Sequence, residues 1–260
     1  MKQYFSFNPY SHDFWPIYDA IKTFYPIGLK QQHDMGLHQD YEGHKMLGAV
    51  LVDNIHNPEH FQERFGNFRD QIERQFGLPV QGTTYGQQPA FSFDIILEKT
   101  EYPGLSKIKK LCLAVSLLGN FYTIFGADET IVIKEGDPYP SHFHAINAVT
   151  VSPHKEFEQP YLELKAAVQE HYPSHKQVPY AILSSYLEGF YDKFAITGEG
   201  MIYNALFDQK LNNNYLFQLA GNSYYGYDEW VKEGYDGSDF KSVEVVVMPL
   251  PPVQPPNHLI

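Results

Sequence analysis

Two histidines one residue apart, His142 and His144, have the spacing in this sequence best suited to chemistry. On a β-strand, positions i and i+2 project from one face, so two imidazoles can share a metal ion. Such a pair would serve a metal-dependent enzyme, with the ligand set completed by Asp137, Glu135 or a distant histidine. A second group of ligand types, His33, Asp34, His38 and His44, has histidine steps of five and six that fit neither a helix face nor a zinc knuckle. Twelve histidines in 260 residues produce such groupings by chance, and the polar stretch 30–44 reads as a loop.

From Gly136 to His144 the spacing is G-x5-H-x-H. Over these nine residues it resembles the opening of the first motif of the cupins, small double-sheet barrels that often bind a metal. The resemblance implies an acidic ligand four or five positions after the second histidine. Those positions hold Ala148 and Val149, and no second motif supplies a third histidine.

Other chemistries have less to stand on. There is no G-x-S-x-G elbow, and Ser184-Ser185 has no recognisable partner arrangement. Cys112 lies in an apolar run, where a cysteine behaves as a small hydrophobe. No G-x-x-x-x-G-K-[ST] loop is present, and in Gly198-Glu199-Gly200 the glutamate would repel an anion. No cofactor is expected from these residues.

The segment YYGYDEWVKEGYDGSDF, residues 224–240, carries a different kind of chemistry. Tyr224, Tyr225, Tyr227, Trp230, Tyr235 and Phe240 are interleaved with Asp228, Glu229, Glu233, Asp236 and Asp239 and a single base, Lys232. Neither a helical nor a strand period runs through it. Rigid rings that anchor and like charges that steer are what a protein-binding surface uses. With a net charge of −12, the chain suits a basic protein partner rather than nucleic acid. The expected function is a non-catalytic protein-binding module, most concretely an immunity-type protein that neutralises a basic bacterial toxin domain. The alternatives are the metal-dependent enzyme built on His142 and His144, and a structural or assembly subunit whose exposed rings mediate homo-oligomerisation.

The elements that must position these residues follow from periodicity. Hydrophobic residues at 43% and charged residues at 19% fit a globular chain. Phe14, Ile17, Tyr18, Ile21 and Phe24 predict a helix over 13–24, and residues 45–55 a second. Asn57-Pro58-Glu59 is a helix start; Phe61, Phe65, Phe68, Ile72 and Phe76 form one stripe, and Gly77 closes it. From Pro89 the period drops to two. Strands at 91–97 and 111–117, FYTIF, TIVIK and 145–151 predict an antiparallel meander, with turns at Gly119-Asn120 and at Gly126-Ala127-Asp128. A helix over 157–171 and another over 200–211 follow. Residues 180–187 suit strand or helix, and 242–250 (SVEVVVMPL) predict a last strand.

The fold class expected is α+β: a meander at about 89–151 packed by amphipathic helices, with a mixed C-terminal half. Residues 1–250 are expected to form one globular domain, or two similar halves of about 1–151 and 152–250, followed by a Pro-rich tail at 251–260. One cysteine, no secretory pattern and no apolar run of membrane-spanning length lead to a cytoplasmic expectation.

Overall fold

The computed structural model describes residues 2–29, 36–37, 40–134, 136, 141–191, 199–211 and 217–235. Its centre is a mixed, mostly antiparallel sheet of seven strands: β1 (Val80–Gly82), β2 (Ala90–Tyr102), β3 (Leu105–Ser116), β4 (Phe121–Lys134), β5 (Ser141–Thr150), β6 (Lys176–Gln177) and β7 (Gln218–Ala220). The order is β1-β2-β3-β4-β5-β7, and β6 lies parallel to the start of β4, beyond the reach of β5. The α+β class and the meander follow the sequence expectation. β3, apolar or small on both faces over 111–116, lies inside the sheet as that pattern requires.

One turn was misplaced by sequence reasoning. β4 runs without a break through Gly126-Ala127-Asp128. Gly126 is there because the Phe157 ring lies against the strand; a Cβ at 126 would sit 2.5 Å from that ring. The reversal into β4 falls at 117–120, where Gly119-Asn120 led to the expectation of a turn, and the β2–β3 reversal is made by Pro103-Gly104, where Gly104 has φ +72°.

Each face of the sheet carries its own apolar core. Alternation sends Phe91, Phe93, Ile95, Leu111, Leu113, Tyr122 and Ile124 to one side. There they meet the Phe stripe, on a helical run made of α3 (Pro58–Phe61), a π turn (Gln62–Gly66) and α4 (Asn67–Phe76). The Asn57 side chain accepts from the N–H groups of Glu59 and His60, and Gly77 at φ +61° ends the run. Phe65 stacks on Phe91 at 4.9 Å between ring centroids. α5 (Glu158–His171) covers the same face through Tyr161, Leu164 and Val168, with Pro160 in its first turn.

The opposite face receives Cys112, Ala114, Phe125 and Val149 from the sheet. It is covered by the N-terminal segment with Phe5, Phe7 and α1 (Trp15–Phe24), and by α6 (Tyr180–Leu183) and α7 (Ile202–Leu206). These last two helices are shorter than the apolar runs 180–187 and 200–211 suggest. α2 (Glu42–Asn54) starts within the stretch read as a loop. The strand expected at 242–250 and the tail at 251–260 lie outside the described residues. No described helix is long and apolar enough to cross a membrane.

Candidate functional site

The aromatic-acidic segment divides into an inner and an outer part. Its 3-10 turn, Tyr227–Trp230, lies beside β6. Lys176 N–H donates to the Asn120 carbonyl just before β4, and Val178 N–H to the Tyr122 carbonyl within it, so the backbone groups of the residue between, Gln177, face the other way. Glu229 accepts from the Gln177 N–H at 2.8 Å, and the Trp230 indole N–H donates to the Gln177 carbonyl at 2.7 Å. Two side chains thus occupy the open edge of β6 as a neighbouring strand would. This use explains the missing period: the residues serve an edge one group at a time.

Trp230 is only 2% exposed, and its ring stacks on Phe14 at 4.8 Å. Glu229 is tied a second time, by Lys165 at 2.7 Å, and Lys165 also lies over the Tyr225 ring. Trp230 is therefore buried and Glu229 half-buried, both bonded within the fold, which corrects the expectation that they stand outward as partner-binding groups. Tyr225 packs edge-on against Tyr161, and Tyr227 against His12 and Phe14; both are half-buried. Tyr235 is half-buried as well.

Tyr224, at 56% exposed, Asp228 and Glu233 do face outward. Neither Asp228 nor Glu233 is in an ion pair among the described residues. Asp236, Asp239 and Phe240 lie outside those residues.

A second segment, which sequence reasoning did not select, adjoins the first. His12 and Val231 form an antiparallel bridge, Asp13 N–H donates to the Trp230 carbonyl, and Lys232 N–H donates to that of Ser11. This brings Asp13 and Asp19 alongside Trp230, in a segment that also carries the exposed rings of Tyr10 (68% exposed) and Trp15 (38% exposed). Asp13 and Asp19 also have no ion-pair partner among the described residues. The signal was present in the sequence: Tyr10, Asp13 and Trp15 repeat the same unperiodic mix of ring and carboxylate. Between α1 and the β3–β4 turn the surface is indented by a groove of about 490 Å³ that Trp230 helps to line.

The histidine pair is positioned as alternation requires. His142 and His144 lie on β5, opposite Ile133 and Ile131 of β4. His144 Nδ1 is 3.1 Å from Glu129, whose other oxygen is 2.7 Å from Lys110. Lys110 and Lys210 both contact buried Asp94, at 3.1 and 2.7 Å. Burial alone pushes the Asp94 carboxyl up, yet the two lysines outweigh it and hold it below the ordinary range. Lys110 and Lys210 are in turn held protonated. Glu129 is thus drawn into a lysine–carboxylate chain across β2, β3 and β4, with His144 of β5 beside its end. Among the described residues, no three His, Cys, Asp or Glu side chains come together in a way that could hold a metal ion. Glu135, Asp137, His33, Asp34 and His38 fall outside those residues.

The buried thiol of Cys112 is pushed far above its ordinary pKa by burial, then by neighbouring Asp94, which disfavours the nucleophilic thiolate. Compared with protein families, with curated proteins and with solved structures, the chain matches none.

Proposed function

We propose that this protein is a non-catalytic binding module for a basic protein partner, of the kind an immunity protein offers to a basic toxin domain. The observation that carries the reading is the joining of two distant segments, 10–19 and 224–235, into adjoining surface with exposed rings at Tyr10, Trp15 and Tyr224. Four carboxylates without ion-pair partners among the described residues, Asp13, Asp19, Asp228 and Glu233, accompany them. Exposed rings supply contact area at low entropic cost, and the carboxylates supply steering and selection. The fastenings beneath, Trp230 and Glu229, hold the two segments in register before any partner arrives, which lowers the ordering cost of association.

The test is retention of a partner from cell extract on the immobilised protein at rising salt. A salt-sensitive partner should be held about tenfold less well by Tyr224→Ala, and weakened again by Asp228→Lys. Glu63→Lys, on the π turn over the far core, should retain it. Equal retention by all three variants removes this surface from consideration.

A further inference from the structure

We infer that the groove lined by Trp230 receives an arginine side chain of the basic partner, displacing Lys176; this rests on the function proposed above and assigns a ligand to one part of that surface. One wall is the outward side of α1. Asp19 and Thr23 follow one another there at helical spacing, and Asp13 stands just before the helix. The opposite wall is the β3–β4 turn with Phe121, together with Lys176.

Trp230 has Phe14 against it at 4.8 Å and Phe121 at 6.0 Å. Lys176 Nζ lies over its ring, 5.3 Å from the centroid. That ammonium shows which chemistry the ring face accepts: a cation held over an indole. Lys176 is itself exposed and in no ion pair among the described residues, so it can swing away at small cost. The groove holds two carboxylates and one ammonium, which leaves room for one further positive charge. A guanidinium suits it better than an ammonium, because it is flat, more weakly hydrated, stacks on indole and can bond a carboxylate at the same time. The groove volume of about 490 Å³ lies in the range of roughly 300–1,000 Å³ occupied by ligand sites.

The experiment titrates acetylated, amidated hexa-arginine into a Trp15→Phe protein, so that emission reports Trp230 alone. Saturable change in Trp230 emission is expected. Lys176→Gln should bind the peptide about two- to fivefold more tightly than Lys232→Gln, which removes the same charge elsewhere on the surface. Asp13→Asn and Asp19→Asn should weaken binding by more than Asp228→Asn and Glu233→Asn do. Peptide binding that responds only to Asp228 and Glu233, with Lys176→Gln and Lys232→Gln alike, overturns the groove assignment and leaves the wider surface standing. No binding to any variant overturns the groove assignment too, while partner retention judges the function separately.

Discussion

Replacing Trp230 with alanine tests whether the segment 224–235 fastens the fold. The side chain is 2% exposed and stacked on Phe14, so its truncation falls in the class of buried aromatic-to-alanine changes, about 3–5 kcal/mol. It also strips the Gln177 carbonyl of its indole donor, which adds about 1 kcal/mol. A total of about 5 kcal/mol is a third or more of the stability of a typical domain. Trp230→Phe separates the two contributions: it keeps an aromatic ring against Phe14 and loses the bond to Gln177, for about 2 kcal/mol. Urea unfolding followed by far-ultraviolet circular dichroism reads both variants without depending on tryptophan emission. A melting temperature lowered by roughly 10–20 °C should accompany the alanine variant. If Trp230→Ala stays within about 1 kcal/mol of the parent protein, Trp230 is not an interior fastening, and the account of the β6 edge fails with it.

Two further outcomes follow from buried polar groups. The Tyr122 hydroxyl is buried with no hydrogen-bond partner among the described residues, so Tyr122→Phe should be neutral or stabilise by up to about 1 kcal/mol, whereas Tyr161→Phe removes the donor to the Ile124 carbonyl and an acceptor for Gln177, costing about 1–2 kcal/mol in the same urea assay. Asp94 has a folded pKa below its unfolded one, so its contribution to stability is complete above about pH 4 and is lost as pH falls through the folded value. The gap in urea midpoint between the parent protein and Asp94→Asn should therefore be constant from pH 7 to 5 and narrow towards pH 2; a gap independent of pH would refute the ion-pair assignment.

Local signals were legible in the sequence where one segment decides its own conformation. Asn57-Pro58-Glu59 and Gly77 marked both ends of a helical run, and the Phe stripe announced the face it buries. Alternation located the meander, but β5 starts at Ser141, four residues before the expected start at 145, and so takes in His142 and His144. Gly126 was misread because glycine serves two purposes, and its use here, giving way to the ring of Phe157, depends on a residue 31 positions later. Trp230 and Glu229 were misread for a related reason. Their partner is the backbone of Gln177, and side chain-to-backbone bonds across 52 or 53 residues leave no period. The N-terminal half of the candidate surface carried the same mix of ring and carboxylate, but its place beside 224–235 was not legible, since only the chain path brings His12 beside Val231.

The pairing of His12 with Val231, and of Tyr4 with Tyr186, has a consequence for synthesis in the cell. Residues made early must wait for residues about 180–220 positions later before they find their places. At about 5–20 residues per second, roughly 220 residues take on the order of 10–45 s to make. Throughout that interval Phe5, Phe7 and Phe14 have no finished site to enter. A nascent chain stalled short of Trp230 should leave the stretch from Phe5 to Phe14 open to protease and attractive to chaperones, and synthesis past Lys232 should close it.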